Sequence, residues 1–411
     1  MPKLKGLLKS SPSPAVPAVQ HEGNIGSGEL GTGPVNLGES KIAEFCPYCQ
    51  SKNFVKRGTR KKKLEVVQLY LCRKCKRTFT AQFVKGKHYP TKLIIDAISI
   101  YNLGYGLEET CRLIKQRYGV NPGASTLNDW YIEYAPLCRY SRLRQFGIKM
   151  FKPEETVESI TLAHRQLYRY RFHRAKMALS LQEYKHRHLE PLKSYLESVF
   201  AETPHQYFQD GFRMSEVKTK FNKAQMIVRA KNNYANRLAG FVLQAVKDNK
   251  QRHEELQKFM IANDSVTVAT EVPVYIRGED IGHMENNLGF DVGDISGYEN
   301  KAGQVLLTGH IDIVQVRNGQ IHLLDFKPHA AKEKPIEQLT WYAMALSRLT
   351  GLRLLDFKCA WFDEKDYFEF YPLHVVKKIT HRIKNKKVFL KDRGMTIEIP
   401  NEDLGRKVKI V

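Results

Sequence analysis

Residues 305–327 constrain this chain more than any other stretch, because their sequence predicts a β-hairpin with a fixed register. Two runs of β-branched and aliphatic residues flank Asn318 and Gly319, the dipeptide preferred in two-residue type I′ turns. When these two residues form the centre of the turn, Asp312 falls directly opposite Asp325. The hairpin therefore predicts two carboxylates on neighbouring strands, with their Cβ atoms about 5 Å apart.

Lys327 joins this pair, since it lies two positions beyond Asp325 and side chains alternate along a strand. Like charges directly opposite each other are destabilising, so Asp312 and Asp325 are expected to share a cation. Carboxylate oxygens, with the backbone carbonyl of Phe326 as a third ligand, suit Mg²⁺ or Mn²⁺. We therefore predict a metal-dependent nuclease site in which Lys327 orients a water molecule or the scissile phosphate. The alternative is an ordinary surface hairpin with an aspartate–lysine ion pair.

The charge balance favours a polyanionic partner. The 411 residues include 66 Lys and Arg against 43 Asp and Glu, a net charge of +23. There is no run of about 18 apolar residues that would span a bilayer. We expect DNA as the partner, no membrane, and a cytoplasmic location on DNA, associated with the nucleoid. The length predicts roughly two to four domains and leaves a homo-oligomer open.

Two Cys-x-x-Cys pairs predict a zinc ribbon over residues 41–85, following a disordered tail of Gly, Ser and Pro over residues 1–40. A unit this small needs its metal to fold, so the zinc is expected to be structural. Between the pairs lies a basic run that includes Lys61, Lys62 and Lys63, which we expect to contact phosphates unless it is merely a solvated loop. The predicted zinc ligands are Cys46, Cys49, Cys72 and Cys75.

Three short helical patterns over residues 88–140 predict a helix-turn-helix DNA-binding domain, with a small structural bundle as the alternative. The third helix is expected to start at a cap formed by Ser125 or Thr126, and to place Ser125, Thr126 and Asn128 near the DNA. The ribbon running into these helices resembles the N-terminal region of insertion-sequence transposases. That resemblance includes the Cys-Arg-Lys-Cys-Lys-Arg-Thr-Phe segment that ends at Phe79, and it implies binding to specific DNA ends.

Residues 141–230 predict a basic helical region in which arginines alternate with aromatic residues. Such a segment either stacks bases and binds phosphates or buries its aromatics in a core.

Residues 231–411 contain the hairpin, a strand that carries Glu271 as a further candidate acidic group, and a basic C-terminal tail. A helix is predicted after the hairpin, with Gln338 and Tyr342 on one side of it because they are four residues apart.

Together, Gly-His-Ile-Asp ending at Asp312, Leu-Asp-Phe-Lys ending at Lys327, and the Gln338–Tyr342 motif resemble the RecB-type branch of the PD-(D/E)xK nuclease superfamily. The resemblance implies a central mixed sheet flanked by helices and metal-dependent cleavage of DNA. That branch usually has a histidine in an upstream helix, which the helix expected near residue 235 lacks. Either this ligand is absent or His310 or His283 substitutes for it, and His310 is the better candidate because the hairpin register pairs it with Lys327. No iron-sulfur cluster is expected.

The sequence thus predicts a multidomain α+β protein: a zinc ribbon, a helix-turn-helix, a basic helical region and an α/β restriction-endonuclease-like domain with a central mixed sheet. The predicted function is Mg²⁺-dependent DNA cleavage. Two alternatives stay open, a DNA-binding regulator with a decayed nuclease fold and a mobile-element recombinase.

Overall fold

The computed structural model of the protein describes residues 46, 48–49, 51–61, 66–80, 89–218, 221, 228–230, 233–246, 251–300, 302–377, 388–392 and 395–399. The predicted tail over residues 1–40 and most of the basic C-terminal tail lie outside these ranges. Within them the protein is mixed α+β, with a large mixed sheet, as the sequence predicted in outline.

The cysteine region forms a small antiparallel sheet of its own. Its strands are β1 (Phe54–Lys61), β2 (Val66–Cys72) and β3 (Thr78–Thr80), in that order. Cys46 and Cys72 share a separate buried cluster with Tyr70 and Phe79, whose rings stack with centroids 5.5 Å apart.

A nine-stranded sheet forms the centre of the protein. Its strands are β4 (Val157–His164), β5 (Gln166–His173), β6 (Phe212–Arg213), β7 (Val228–Ala230), β8 (Thr267–Arg277), β9 (Leu306–Arg317), β10 (Gln320–Phe326), β11 (Phe357–Phe362) and β12 (Tyr367–Phe370). The order is β4-β5-β8-β9-β10-β11-β12-β7, and β6 pairs with β9 outside this path. The pairs β10–β11 and β6–β9 are parallel, and the other pairs are antiparallel. A separate hairpin joins β13 (Val388–Asp392) to β14 (Met395–Ile399).

Helices surround the sheet. They are α1 (Thr91–Asn102), α2 (Leu107–Tyr118), α3 (Ala124–Tyr134), α4 (Arg144–Met150), α5 (Pro153–Thr156), α6 (Arg174–Gln182), α7 (Glu190–Glu202), α8 (His205–Asp210), α9 (Tyr234–Val242), α10 (Arg252–Asn263), α11 (Gly278–Leu288), α12 (Ile336–Thr350) and α13 (Pro372–Val376). Short 3₁₀ helices span Arg139–Arg142, Tyr184–Leu189 and Leu354–Asp356. The helix α12 connects the parallel strands β10 and β11, which a two-residue turn cannot join.

Both faces of the central strands are buried, so their sequences are apolar on both sides. Leu323 and Leu324 are neighbours in β10, yet they belong to different clusters. Leu323 shares its cluster with Trp341 of α12, whereas Leu324 shares one with Phe259 of α10 and Trp130 of α3. The helices α1 to α3 therefore belong to the layer on one face of the sheet and do not have a core of their own.

The prediction of a helical region over residues 141–230 is wrong over residues 157–173, where β4 and β5 form a hairpin. Aromatic side chains there recur at every second position, which is the period of a strand rather than of a helix. Tyr170 and Phe172 are buried as a result, and Arg171 pairs with Thr270 of β8. This segment is thus a part of the central sheet.

Two further expectations about helices need correction. The predicted cap of α3 at Ser125 or Thr126 is wrong, because the helix begins at Ala124 after Gly123, which has a φ of +79° and no capping side chain. The helix α10 was not predicted; from Leu256 onward all of its residues except Lys258 are buried.

Candidate active site

The hairpin has the predicted register. Asn318 and Gly319 have φ angles of +54° and +76°, as a type I′ turn requires, and the pairing runs outward from the turn to Leu324 and Ile313. Asp312 and Asp325 are the next residues on the two strands. Their strands diverge here, and the backbone N–H of Phe326 donates a hydrogen bond to Asp312 Oδ2 at 3.3 Å.

Asp325 is almost fully buried, and its Oδ2 lies 3.0 Å from the Nζ atom of Lys327. Burial, followed by the charge of Asp312, raises the pKa of Asp325 well above its usual range. Burial also opposes ionisation of Asp312, but the hydrogen bond and charge of His253 outweigh it and lower the pKa of Asp312. The charge of Asp312 thus makes ionisation of Asp325 more costly, as expected for two buried carboxylates this close together.

His253 lies in the first turn of α10, and its Nδ1 atom is 3.3 Å from Asp312 Oδ2. The imidazole ring of His253 and the ring of Phe326 pack in a T-shaped arrangement, with their centroids 5.1 Å apart. Burial disfavours the charged imidazole, yet the hydrogen bond and charge of Asp312 raise the pKa of His253 above its usual value. His253 thus contacts the first aspartate from an upstream helix. A histidine in this role was expected, but the helix predicted near residue 235 has none.

His310 does not take this role. It is buried beside β8, opposite Pro273, and its Nε2 atom lies 2.9 Å from Nδ1 of His164. Its ring stacks on Tyr168 with centroids 3.6 Å apart. The predicted pairing of His310 with Lys327 is absent from the described ladder, which ends nearer the turn. His283, the other candidate, is exposed on α11.

Gln338 and Tyr342 point the same way from α12, as predicted, and Gln338 Nε2 donates to Tyr342 Oη at 2.9 Å. The phenol ring packs on the backbone of Gly309, where an added Cβ would lie 2.3 Å from the ring carbon Cε1. Only glycine allows this approach of α12 to β9.

Glu271 lies opposite Asp312 on β8, since Thr270 and Val272 pair with the residues on either side of Asp312. Its φ of +52° is unusual for a residue with a side chain and typical of strained positions at functional sites. Gln257 Nε2 donates to its Oε1 at 2.7 Å. Burial, followed by the charge of Asp312, raises the pKa of Glu271 to about 8.

These groups lie around one cleft with a volume of about 360 Å³. Its lining includes His253, Glu271, Asp312, Lys327 and the Gln338–Tyr342 pair, with Asp325 directly behind Lys327. A larger cavity of about 590 Å³ against α7 shares only Phe208 with this cleft.

The four ribbon cysteines form the second candidate metal centre. Their sulfur atoms all lie within 4.8 Å of one another, the closest pairs being Cys46–Cys75 at 3.6 Å and Cys49–Cys72 at 3.5 Å. Four thiolates around Zn²⁺ at about 2.3 Å would be separated by about 3.8 Å. The backbone N–H of Cys75 lowers the pKa of Cys72 to about 6, whereas burial and the neighbouring cysteines raise the pKa of Cys75 to about 11. This group could therefore hold a zinc ion.

The predicted DNA contacts are only partly described. Lys61 is exposed at the end of β1, whereas Lys62 and Lys63 lie outside the described residues. On α3, Ser125 is exposed, and Thr126 and Asn128 are half-buried. The sequence of α3 has two acidic residues and no lysine or arginine, so this helix has no side chain that would neutralise a phosphate.

Comparison with protein-family models, with curated proteins and with solved structures gave no match. No helix among the described residues is long and apolar enough to cross a membrane.

Proposed function

We propose that this protein is a metal-dependent DNA nuclease of the PD-(D/E)xK type. The observation that carries the proposal is the contact of His253 with Asp312 beside the buried Asp325–Lys327 pair. A histidine of α10 comes together with two aspartates and a lysine of the β9–β10 hairpin, although it is far from them in sequence. This set supports an enzyme over a regulator with a decayed nuclease fold, since the histidine that a decayed site would have lost is present.

Asp312 and Asp325 would hold Mg²⁺ or Mn²⁺, with His253 beside them and the Phe326 carbonyl as a further candidate ligand. Burial and the charge of Asp312 raise the pKa of Asp325, which fits a pair of carboxylates that shares a cation. When bound, a divalent cation supplies charge neutralisation and Lewis acidity toward the scissile phosphate.

The protein's own groups then position the substrate. The ammonium of Lys327 is held by Asp325 at the base of the cleft and offers its remaining donors to a phosphate oxygen or to the attacking water. The Gln338–Tyr342 pair lines the opposite wall, where its amide and phenol can hold the phosphate in place. The net charge of +23 and the ribbon provide the attraction for DNA.

The test is an incubation of purified protein with linear duplex, circular duplex and single-stranded DNA, with Mg²⁺, Mn²⁺ or EDTA. We expect cleavage with Mg²⁺ or Mn²⁺, none with EDTA, and loss of at least about 100-fold in rate for Lys327→Ala. The matched control is Lys185→Ala, an exposed lysine away from the cleft, which should cleave normally. Tight duplex binding without any cleavage would favour the regulator.

A further inference from the structure

The cleft contains a cation that the proposed chemistry does not use. Arg213 lies in β6, lines the same cleft as Asp312, and is half-buried beside Tyr168 and His310. Its side chain makes no hydrogen bond or ion pair with any described residue. Lys327, a half-buried cation of the same cleft, is by contrast paired with Asp325.

The backbone around Arg213 is firmly fixed. Arg213 pairs with Thr308 of β9, Met214 donates its N–H to the carbonyl of Thr308 at 2.8 Å, and Glu216 donates its N–H to the carbonyl of Arg213 at 2.9 Å. Strand β6 is only two residues long, so its pairing with β9 mainly serves to hold this position. A guanidinium is always charged and presents several donors in one plane, an arrangement that suits phosphate oxygens.

Its distance from the aspartates indicates which phosphate it would bind. Thr308 precedes Asp312 by four positions on β9, which is about 13 Å along an extended strand. Arg213 therefore enters the cleft at a different point from Asp312, although the charges of both act on Tyr168 and His310. The group that its guanidinium would meet is a backbone phosphate close to the scissile one.

Resting on the nuclease function above, we propose that Arg213 binds a non-scissile backbone phosphate of the substrate strand, close to the bond that is cut. The cleft would then hold the strand at two points, through the cation on the carboxylates at one and through the guanidinium at the other. Two points of contact fix the direction in which the strand crosses the cleft, and Arg213 acts as a positioning residue rather than a catalytic one.

The test combines Arg213→Ala with oligonucleotides in which single phosphates are replaced in turn by uncharged methylphosphonates. For the wild type, one replacement near the cut should raise KM about tenfold, with kcat changed much less, because a charge-assisted hydrogen bond is lost. In Arg213→Ala the KM should be about tenfold higher for the normal oligonucleotide, and the same replacement should then have no further effect. Arg213→Lys should recover part of the affinity.

Binding of the same oligonucleotides in EDTA separates this inference from the proposed function. Arg213→Ala should weaken binding and reduce its salt dependence even if no cleavage is seen, whereas Arg353→Ala should not, since Arg353 is exposed at the far end of β11. Unchanged binding and KM in a folded Arg213→Ala protein would overturn the inference. So would independent, additive effects of the substitution and of every methylphosphonate. A wild type that binds but never cleaves would contradict the nuclease proposal alone.

Discussion

His253 and Asp312 meet at 3.3 Å across the boundary between α10 and the central sheet. The contact ties the helix that precedes β8 to the strand that carries the first aspartate. The hydrogen bond with Asp312 and the charge of Asp312 raise the pKa of His253, although burial opposes this. In return, the hydrogen bond with His253 and the charge of His253 lower the pKa of Asp312 despite its burial.

Replacing this histidine should reduce activity without unfolding the protein. His253 is more than a third exposed, so His253→Ala removes little buried surface. We expect a loss of about 10- to 100-fold in cleavage rate, as for other groups that support a metal ligand. Steady-state cleavage with Mg²⁺ or Mn²⁺ measures this. The control is His188→Ala, an exposed histidine beside Asp356, which should keep full activity. A His253→Ala enzyme with wild-type rates would remove His253 from the site.

Gly309→Ala should damage both the site and the fold. The added methyl group would overlap the ring of Tyr342 at 2.3 Å, so α12 or the ring must shift. We expect a loss of about 1–3 kcal/mol in the free energy of unfolding, together with reduced cleavage. Gly282→Ala is the matched control, because nothing lies within 4 Å of its Cβ position and alanine favours a helix. Equal stability of the two variants in urea denaturation would contradict this packing.

The ribbon should need zinc while the central sheet does not. Its buried cluster is separate from those of the sheet, and the four cysteines are its only compact ligand group within the described residues. Cys72→Ser should therefore lose bound zinc and weaken specific DNA binding more than cleavage. Metal analysis and binding titrations measure the two effects. Cys111→Ser, at a buried cysteine of α2, should retain zinc. Equal loss of binding and cleavage in Cys72→Ser would show that the two units depend on each other.

Lys176 should make stability depend on pH. Its ammonium is fully buried and donates to the carbonyl oxygens of Ile261 and Thr267, at the end of α10 and the start of β8. Burial lowers its pKa to about 7. Between pH 7 and 10 the unfolded chain holds this proton and the folded chain does not, so the free energy of unfolding should rise with pH. The expected slope is up to about 1.4 kcal/mol per pH unit.

Lys176→Met should remove this contribution to the slope, and Lys185→Met, at an exposed lysine, should not. Urea denaturation at several pH values distinguishes the two. A Lys176→Met protein whose stability has the wild-type pH dependence would mean that this lysine stays charged in the folded protein.

The parts of the fold that were predicted correctly are those that local chemistry determines. The Asn318-Gly319 turn sets the hairpin register, and cysteine spacing sets the ribbon. His253 was missed because it is a polar residue in the first turn of a helix whose apolar residues begin only at Leu256. Nothing local links it to Asp312, and their contact exists only once α10 packs on the sheet. The spacing of Leu256, Phe259 and Met260 is the signal that would have indicated the helix.

The hairpin of β4 and β5 was missed for a different reason. Its alternating arginines and aromatics fit a strand, but the prediction for residues 141–230 is a basic helical region. Arg171 is nevertheless buried, with Glu254 of α10 as its ion-pair partner at 3.2 Å. A partner of this kind becomes visible only in the folded structure.

The central claim is that Asp325 and its neighbours form a metal-dependent cleavage site, and Asp325→Asn tests it most directly. Asparagine keeps the size of the side chain and removes the charge that a cation and Lys327 require. The measurement is the rate of DNA cleavage with Mn²⁺ by the wild type, by Asp325→Asn and by Asp356→Asn, the last at a buried aspartate paired with Arg353. The account predicts that Asp325→Asn cleaves at least about 100-fold more slowly while Asp356→Asn keeps the wild-type rate. Wild-type cleavage by a folded Asp325→Asn protein would contradict it.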